Sequence, residues 1–405
     1  MKIGEFANSN NLTIDTIRHY MDLGLIIPEK QGGQYYFDSR CQSDLENILN
    51  LKDMKFTLNE IKTIFLFRRL GKLTPYQEYE YYKAFYKNKY DSICQEVESL
   101  RDAKNKLQMK MKELVVKENK QKIKMGIDIR RLNLFKCVKC NGNLNLSQGN
   151  ILDNQIIEGV LKCSCGVEYK IHDGILLVDN KKEQDGLTFD YDYIEDYINL
   201  TNVEYLENIY TSLEWMYKKI DFTSFNEKII MELGSGAGFF LRHIYNDLPR
   251  DCVYLAIDYD YNRHIFLKNM LESIGIRKNI IFICCDFLDI PIEDNSIDIL
   301  VDYSGTSNYS FEHKEFLLDL VNNYIKNRAY LIGAYILFKN FHFNSKIDSP
   351  FRRNFILDNI NDKIINLGYI PIYEKVSEPI AKGGKYEDYF VKGEEVYFYL
   401  FYGKR

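Results

Sequence analysis

KIIMELGSGAGFF, residues 228–240, is an apolar stretch of strand length that runs straight into a loop with glycine at 234, 236 and 238. A helical pattern, LRHIYNDL, follows at 241–248. Strand, glycine loop and helix in that order open a parallel sheet flanked by helices. Gly234, Gly236 and Gly238 allow positive φ and let a ligand approach the backbone, and the start of the next helix offers unsatisfied N–H groups. The dinucleotide fingerprint is G-x-G-x-x-G, whereas the spacing here is G-x-G-x-G. A dinucleotide dehydrogenase therefore stays open only as an alternative.

Downstream the pattern sharpens. Glu232 precedes the first glycine, VYLAID ends at Asp258, and IIFICCD ends at Asp286 with Phe287 next. A carboxylate at the end of the second strand can accept both ribose hydroxyls, and one at the third can take an adenine amino group while Phe287 lies against the ring. Such a pocket expects an adenosine. The fourth strand, IDILVDYSGTSNYSFEH (297–313), ends where an acceptor would sit, which makes Asp302, Tyr303, Ser304, Asn308, Tyr309 and His313 candidates. The plainer reading is that Asn308 or Ser310 starts a helix and that His313 is an exposed first-turn histidine.

The segments ELGSGAG, AIDYD, CCDF and DNSIDILVDYSG resemble the class I S-adenosylmethionine-dependent methyltransferases over residues 225–405. That resemblance implies that Gly234, Gly236 and Gly238 pack under the methionine part and that Asp258 binds ribose. It also implies that Asp286 and Phe287 hold adenine, while Glu232 meets the methionine amino group indirectly. Neither NPPY nor DPPY, which marks enzymes methylating nucleic-acid bases or glutamine, occurs here. A small molecule with a hydroxyl, amine or carbon acceptor is expected instead.

Toward the N-terminus come two close cysteine pairs, Cys137-x-x-Cys140 and Cys163-x-Cys165. Four soft thiolates suit tetrahedral zinc in a hairpin-built ribbon, expected over 132–180, and four protein ligands leave no position for a catalytic water. The ribbon resembles those beside some methyltransferases, with a second pair one residue shorter than usual. His172 reads as a solvent-facing turn residue rather than a ligand. Cys41, Cys94, Cys252, Cys284 and Cys285 read as small structural side chains. Residues 181–224, with the acidic, tyrosine-rich DGLTFDYDYIED (185–196), read as a connector or lid.

The first 72 residues show two short helical patterns around Asn8 to Asn11, with Thr13 placed to cap the second. Ile14, Ile17 and Met21 repeat at helical spacing and are expected to bury one face, leaving Thr16, Arg18, His19 and Tyr20 for a DNA groove or phosphates. Gly32-Gly33 supports a hairpin wing bearing Lys30 and Tyr36, and two more helices follow, the second capped by Thr57. IGEFA, TIDTIRHY, the glycine pair and LKDMKFTLNEIK together resemble the MerR family of transcription regulators. This resemblance implies a winged helix-turn-helix dimer on double-stranded promoter DNA. Over residues 1–72 only 10 basic side chains face 9 acidic ones, so fewer phosphate contacts and a shallow salt dependence are expected. A module that keeps the fold but no longer binds DNA is the alternative.

Residues 76–128 carry a heptad seam: Tyr90, Ile93, Val97, Leu100, then Lys104, Leu107, Met111 and Leu114. One polar place among apolar ones suits a coiled coil of fixed register, hence a homodimer. A long helix packed on its own chain remains the other option.

Composition bounds the rest. The 405 residues suffice for two to four units, and 46% hydrophobic with 27% charged residues is a globular balance. No membrane segment or secretory leader is read from the sequence, so a cytoplasmic protein with reduced cysteines is expected. Taken together, the fold class is multidomain: an all-α winged helix-turn-helix, a long helix, a zinc ribbon and a Rossmann-like α/β methyltransferase fold. Three functions compete. One is a regulator that also methylates a small molecule, one a regulator whose last domain only senses S-adenosylmethionine or a related ligand, and one an RNA methyltransferase.

Overall fold

The computed structural model describes residues 1–71, 74–118, 123–178 and 191–405, which divide into two units, Met1–Glu118 and Asn119–Arg405. In the first, α1 (Ile3–Ser9) and α2 (Ile14–Asp22) form the helix-turn-helix, and β1 (Glu29–Gln31) pairs antiparallel with β2 (Gln34–Tyr36) as the wing. Gly32 and Gly33 both have positive φ (55° and 82°), the backbone that a two-residue hairpin turn of this kind requires. Then α3 (Ser39–Asp53) and α4 (Leu58–Leu70) close the module. Thr13 caps α2 by accepting the Thr16 N–H at 3.1 Å, and Thr57 with Glu60 makes a reciprocal capping box on α4.

One face of α2 differs from expectation. Ile17 is buried, but Ile14 is 40% exposed and Tyr20 is 1% exposed, with Lys52 Nζ donating to its hydroxyl. Tyr20 therefore belongs to the core rather than to a DNA-facing surface. The core lies under the second and third turns of α2, where Ile17 and Tyr20 are three apart on one face, while Ile14 sits on the opening turn outside it. Phe6 stacks on Phe37 at 4.5 Å within the same cluster.

The long helix α5 (Pro75–Glu118) starts on a proline, whose fixed φ suits a first helical position. Its first turns pack on the module: Phe67 stacks on Tyr81 at 3.9 Å and Lys89 pairs with Glu60 at 2.7 Å. Further along, Tyr90, Leu100, Leu107, Met111 and Leu114 are all more than half exposed. The helix expected over 76–128 is shorter than that: α5 is described to Glu118, 119–122 lie outside the described residues, and the last expected positions, Ile127–Asp128, are a strand that pairs in the second unit's sheet. Cys94 is exposed on α5 and not a core side chain, whereas Cys41, Cys252 and Cys285 are buried.

The second unit begins with β3 (Ile127–Asp128), β4 (Leu144–Leu152), β5 (Gln155–Cys163), β6 (Glu168–His172) and β7 (Ile175–Leu177). Helices α6 (Tyr191–Leu200) and α7 (Val203–Lys219) follow; residues 179–190, including the first half of the acidic connector, lie outside the described residues. The chain then runs β8 (Ile229–Leu233), α8 (Phe239–Ile244), β9 (Val253–Asp258), α9 (Tyr261–Ile274), β10 (Ile280–Cys284) and β11 (Ile297–Tyr303). It ends with α10 (Gly305–Ser310), α11 (Leu317–Leu320), β12 (Ile325–Phe338), α12 (Leu357–Asn366), β13 (Ile370–Val376) and β14 (Val396–Lys404).

All these strands join one sheet, in the order β13-β14-β12-β11-β8-β9-β10-β7-β6-β5-β3 with β4 on β5. From β7 to β12 the neighbours β7, β10, β9, β8, β11 and β12 run parallel, and β14 and β13 are antiparallel at one end. Alternate side chains feed two cores: Met231, Leu233, Leu255 and Ile257 into one, Ile230, Tyr254 and Ala256 into the other. Burial on both faces is what continuous apolar strands demand.

The cysteine ribbon is thus not a freestanding domain, because β7 pairs with β10 (Phe282 with Ile175) and extends the sheet. Buried Lys268 on α9 fastens it, with Nζ 3.0 Å from Asp173 and 2.9 Å from Glu272, while Glu272 also accepts the Met125 N–H. Among the described residues no helix is long and apolar enough to cross a membrane.

Candidate functional site

The chain leaves β8 toward β9 and β10 on one side, then returns to β11 on the other. At such a reversal the crevice beyond the strand ends is left open, and ligands of doubly wound sheets bind there. A cavity of about 290 Å³ occupies this point, lined by Glu232 and residues 234–237 after β8 and by Tyr303, Ser304 and Asn308 after β11.

The glycines are needed where they stand. Gly234, Gly236 and Gly238 have φ of 68°, 50° and 77°. A Cβ at Gly234 would lie 3.2 Å from Gly305 Cα, narrowing the crevice, and one at Gly238 would lie 2.2 Å from Leu267 Cδ1. Ser304, at φ 65°, is a non-glycine residue in the left-handed region at the same crossing.

Asp258 holds this loop rather than lining the cavity. One oxygen accepts the Gly236 N–H at 2.8 Å and the other accepts the Asp260 N–H at 2.9 Å. Glu232 is 2% exposed and accepts the Tyr254 hydroxyl at 2.9 Å. Burial pushes its carboxyl up to about 8, with the Asp258 charge adding to the effect against the Tyr254 hydrogen bond. Asp286 accepts the Leu288 N–H at 2.9 Å and lies with Tyr259 and Asp289 along a separate, larger hollow under the β4–β5 hairpin. Phe287 lies between the two, its Cζ 3.7 Å from where a Gly234 Cβ would be.

Of the candidate acceptor residues, Tyr303, Ser304 and Asn308 line the cavity. Asp302 does not. It is fully buried on the other side of β11, accepts the Thr306 N–H at 2.8 Å, and burial pushes its carboxyl up to about 6. Strand alternation sends neighbours Asp302 and Tyr303 to opposite faces. His313 is also outside the cavity lining, exposed and stacked on Tyr309 at 3.9 Å with Nδ1 at 3.0 Å from the Tyr309 carbonyl oxygen.

The remaining wall comes from residues not singled out in the sequence. Tyr193 and Tyr197 arrive from α6, Tyr205 from α7, and Tyr386, Glu387 and Tyr389 from the loop before β14. The tyrosine-rich lid segment and the GGK turn at 383–385 were the signals available. Contact between them spans about 190 residues of sequence, which no local pattern reports.

The four cysteine sulfurs, from the knuckles around Cys137–Cys140 and Cys163–Cys165, all lie within 4.8 Å of one another. Sulfurs of Cys137 and Cys165 are 3.6 Å apart, and those of Cys140 and Cys163 are 3.4 Å apart. A tetrahedron with Zn–S bonds of about 2.3 Å has sulfurs about 3.8 Å apart, so the set fits zinc. A Cβ at Gly142 would come within 3.2 Å of two of the sulfurs. Burial pushes the Cys137 thiol up, but hydrogen bonds from the Tyr169 hydroxyl and nearby backbone N–H groups outweigh it and bring it down to about 6. His172 stays apart, with Nδ1 3.0 Å from Glu158.

On the helix-turn-helix, Arg18 and His19 are exposed and Thr16 is half-buried, its hydroxyl 2.8 Å from that of Thr13. Arg18 pairs with Asp15 at 3.3 Å. Lys30 lies over the Tyr35 ring at 5.5 Å, and Tyr36 is exposed on the wing.

Residues 1–67 match the MerR HTH family of regulatory proteins. No curated protein sequence matches the chain. Among solved structures, a SAM-dependent methyltransferase from Aquifex aeolicus is 17% identical, with 53% of this chain and 98% of that one covered at a TM-score of 0.33. Geranyl diphosphate C-methyltransferase from Streptomyces coelicolor is 10% identical, covering 48% of this chain and 75% of that one at 0.37. The [4+2]-cyclase SpnF is 10% identical, covering 47% and 79% at 0.35. The chain thus carries a MerR-type helix-turn-helix at its N-terminal end and a Rossmann-like unit with a four-cysteine cluster after it.

Proposed function

We propose that this chain is a DNA-binding regulator of the MerR type whose second unit binds S-adenosylmethionine and methylates a small molecule. The observation that carries the reading is the cavity at the sheet's reversal, floored by a glycine loop that Asp258 clamps and closed by buried Glu232. The buried Ser235 Oγ in that loop has no hydrogen-bond partner among the described residues, as expected of a wall built for a ligand. Bound there, S-adenosylmethionine supplies a methyl group on a positive sulfur that nucleophiles attack readily. The chain's own residues have to align the acceptor and exclude water. Gly234 and Gly236 give the backbone approach, Glu232 stands on the methionine side, Asp258 acts by holding the glycine loop in shape, and Asp286, along the neighbouring hollow, with Phe287 would take the adenine side.

The cavity of about 290 Å³ lies just below the 300–1,000 Å³ typical of ligand pockets, and among the described residues Arg263 is the one basic side chain lining it, which supports a small acceptor over a polyanionic RNA. The exposed seam on α5 supports a homodimer, since more than half of the surface of Leu100, Leu107 and Met111 is bare. Arg18, His19, Thr16, Lys30 and Tyr36 are the proposed DNA contacts, and a cytoplasmic location follows from that role. Zinc on the four thiolates is structural, with no position left for water.

One observation favours a second reading, a sensor that binds the cofactor without turnover: Asp302 and His313 are absent from the cavity lining. Incubation of the purified chain with methyl-labelled S-adenosylmethionine and a small-molecule cell extract separates the two. Label transferred to a small acceptor supports the enzyme; cofactor bound with no label transferred supports the sensor.

A further inference from the structure

The part of the cavity wall contributed by α6 and by the loop before β14 has a composition of its own. Tyr193, Tyr197 and Tyr386 form a continuous ring cluster, with centroids 5.6 Å apart for Tyr193 and Tyr386 and 5.4 Å for Tyr197 and Tyr386. Phe239 continues it at 5.4 Å from Tyr197. Beside these rings stands the Glu387 carboxylate, only 4% exposed, accepting the Gly384 N–H at 3.0 Å and lying 3.5 Å from the Thr201 hydroxyl.

Faces of aromatic rings carry negative quadrupole charge and attract cations, more strongly when water is excluded. A carboxylate buried among them is stripped of much of its water, and a positive partner beside it compensates that loss. Among the described residues lining the cavity, Arg263 is the one cation, and its Nε is already held 3.3 Å from Asp260. Glu232 is positioned for the cofactor's ammonium, which leaves the Glu387 charge and the tyrosine faces for something else.

We propose that the aromatic walls and Glu387 form a binding site for a small organic ammonium ion, and that the methyl acceptor is its amine nitrogen; this rests on the methyltransferase reading. The amine enters protonated and is held over the rings with its N–H directed at Glu387. It passes one proton to that carboxylate, and the freed lone pair forms the new N–C bond. The C–S bond breaks with its electron pair kept by sulfur, so a sulfonium becomes a neutral thioether and the amine becomes an N-methylammonium. Charge and atoms balance with no further reactant. The hydroxyls of Tyr205 and Tyr389, 2.6 Å apart, occupy each other and do not compete for that proton.

The test is equilibrium binding to the full chain by calorimetry, with benzylammonium and benzyl alcohol as matched charged and neutral probes. Benzylammonium is expected to bind at least about tenfold more tightly than the alcohol, a preference of the size cation–π and charge pairing give. Glu387→Gln should remove the preference while leaving S-adenosylhomocysteine affinity within about twofold. Tyr386→Leu, which keeps the carboxylate, should weaken benzylammonium severalfold, and Tyr386→Phe should not. Equal affinity for the two probes, or an unchanged preference in Glu387→Gln of native circular dichroism, overturns the proposal. If benzylammonium binds as described but S-adenosylhomocysteine does not bind at all, the cofactor reading falls and the cation site stands. If the cofactor binds and label passes only to hydroxyl or carbon acceptors, the cation site falls and the cofactor reading stands.

Discussion

The Asp258 carboxylate accepts the backbone N–H of Gly236 at 2.8 Å, so the end of β9 and the glycine loop after β8 are held as one structure. Its second oxygen takes the Asp260 N–H at 2.9 Å and steadies the start of α9. Asp258→Ala leaves both backbone donors without an acceptor, at about 1–3 kcal/mol each. S-adenosylmethionine affinity is expected to fall at least about 100-fold, each 1.4 kcal/mol being tenfold. Calorimetry on the variant checks this, and affinity within a factor of two of the parent would remove Asp258 from the site.

Glu232 gives a pH signature. Folded, it keeps its proton up to about 8; the ordinary value is 4.5. Folding therefore takes up a proton between those limits, and stability is full below pH 4.5 and declines as pH rises through 8. Glu232→Gln should abolish that decline, so the ligand-free variant should gain melting temperature at pH 8, worth on the order of a few kcal/mol, and little at pH 5. A parallel shift at both pH values would show that Glu232 is ionised in the fold.

The cysteine cluster predicts stoichiometric zinc by elemental analysis. Cys163→Ser should lose the metal and, because β5 and β7 are part of the main sheet, lower the melting temperature of the whole second unit. Removal of zinc by a chelator with no change in melting would contradict a structural role.

On the N-terminal module the two α2 residues Arg18 and Tyr20 should behave oppositely. Arg18→Ala, at an exposed position, should abolish protection of two half-sites in footprinting and leave melting unchanged. Tyr20→Ala removes a fully buried ring and should cost about 3–5 kcal/mol, the range for large aromatic truncations, unfolding the module before any specific effect on DNA. Footprints lost in Arg18→Ala only together with its fold would refute the assignment.

Much of this was legible locally. The glycine loop, the ends of three strands and the helix caps at Thr13 and Thr57 each depend on a few consecutive residues, and the paired cysteines on two such stretches. Period also served in showing that α5 is a long helix. It failed on α2, where Ile14 and Tyr20 both look apolar enough and only the position of the core decides which is covered. Asp302 misled for a related reason: a strand-end carboxylate resembles a functional group, but alternation turned it away from Tyr303 and the cavity. The pairing of β7 with β10, and the meeting of Tyr197 with Tyr386 and Glu387, join segments more than 100 residues apart. Such contacts come from sheet order, which neither spacing nor composition encodes.

The central claim is that one chain holds a groove-reading module and a cleft for S-adenosylmethionine at the β8–β11 crossing. Titration of S-adenosylmethionine into the purified full-length protein, followed by calorimetry, tests it most directly. A saturable isotherm with one site per chain, lost in Asp258→Ala, is the predicted result; no heat of binding at millimolar cofactor would contradict it.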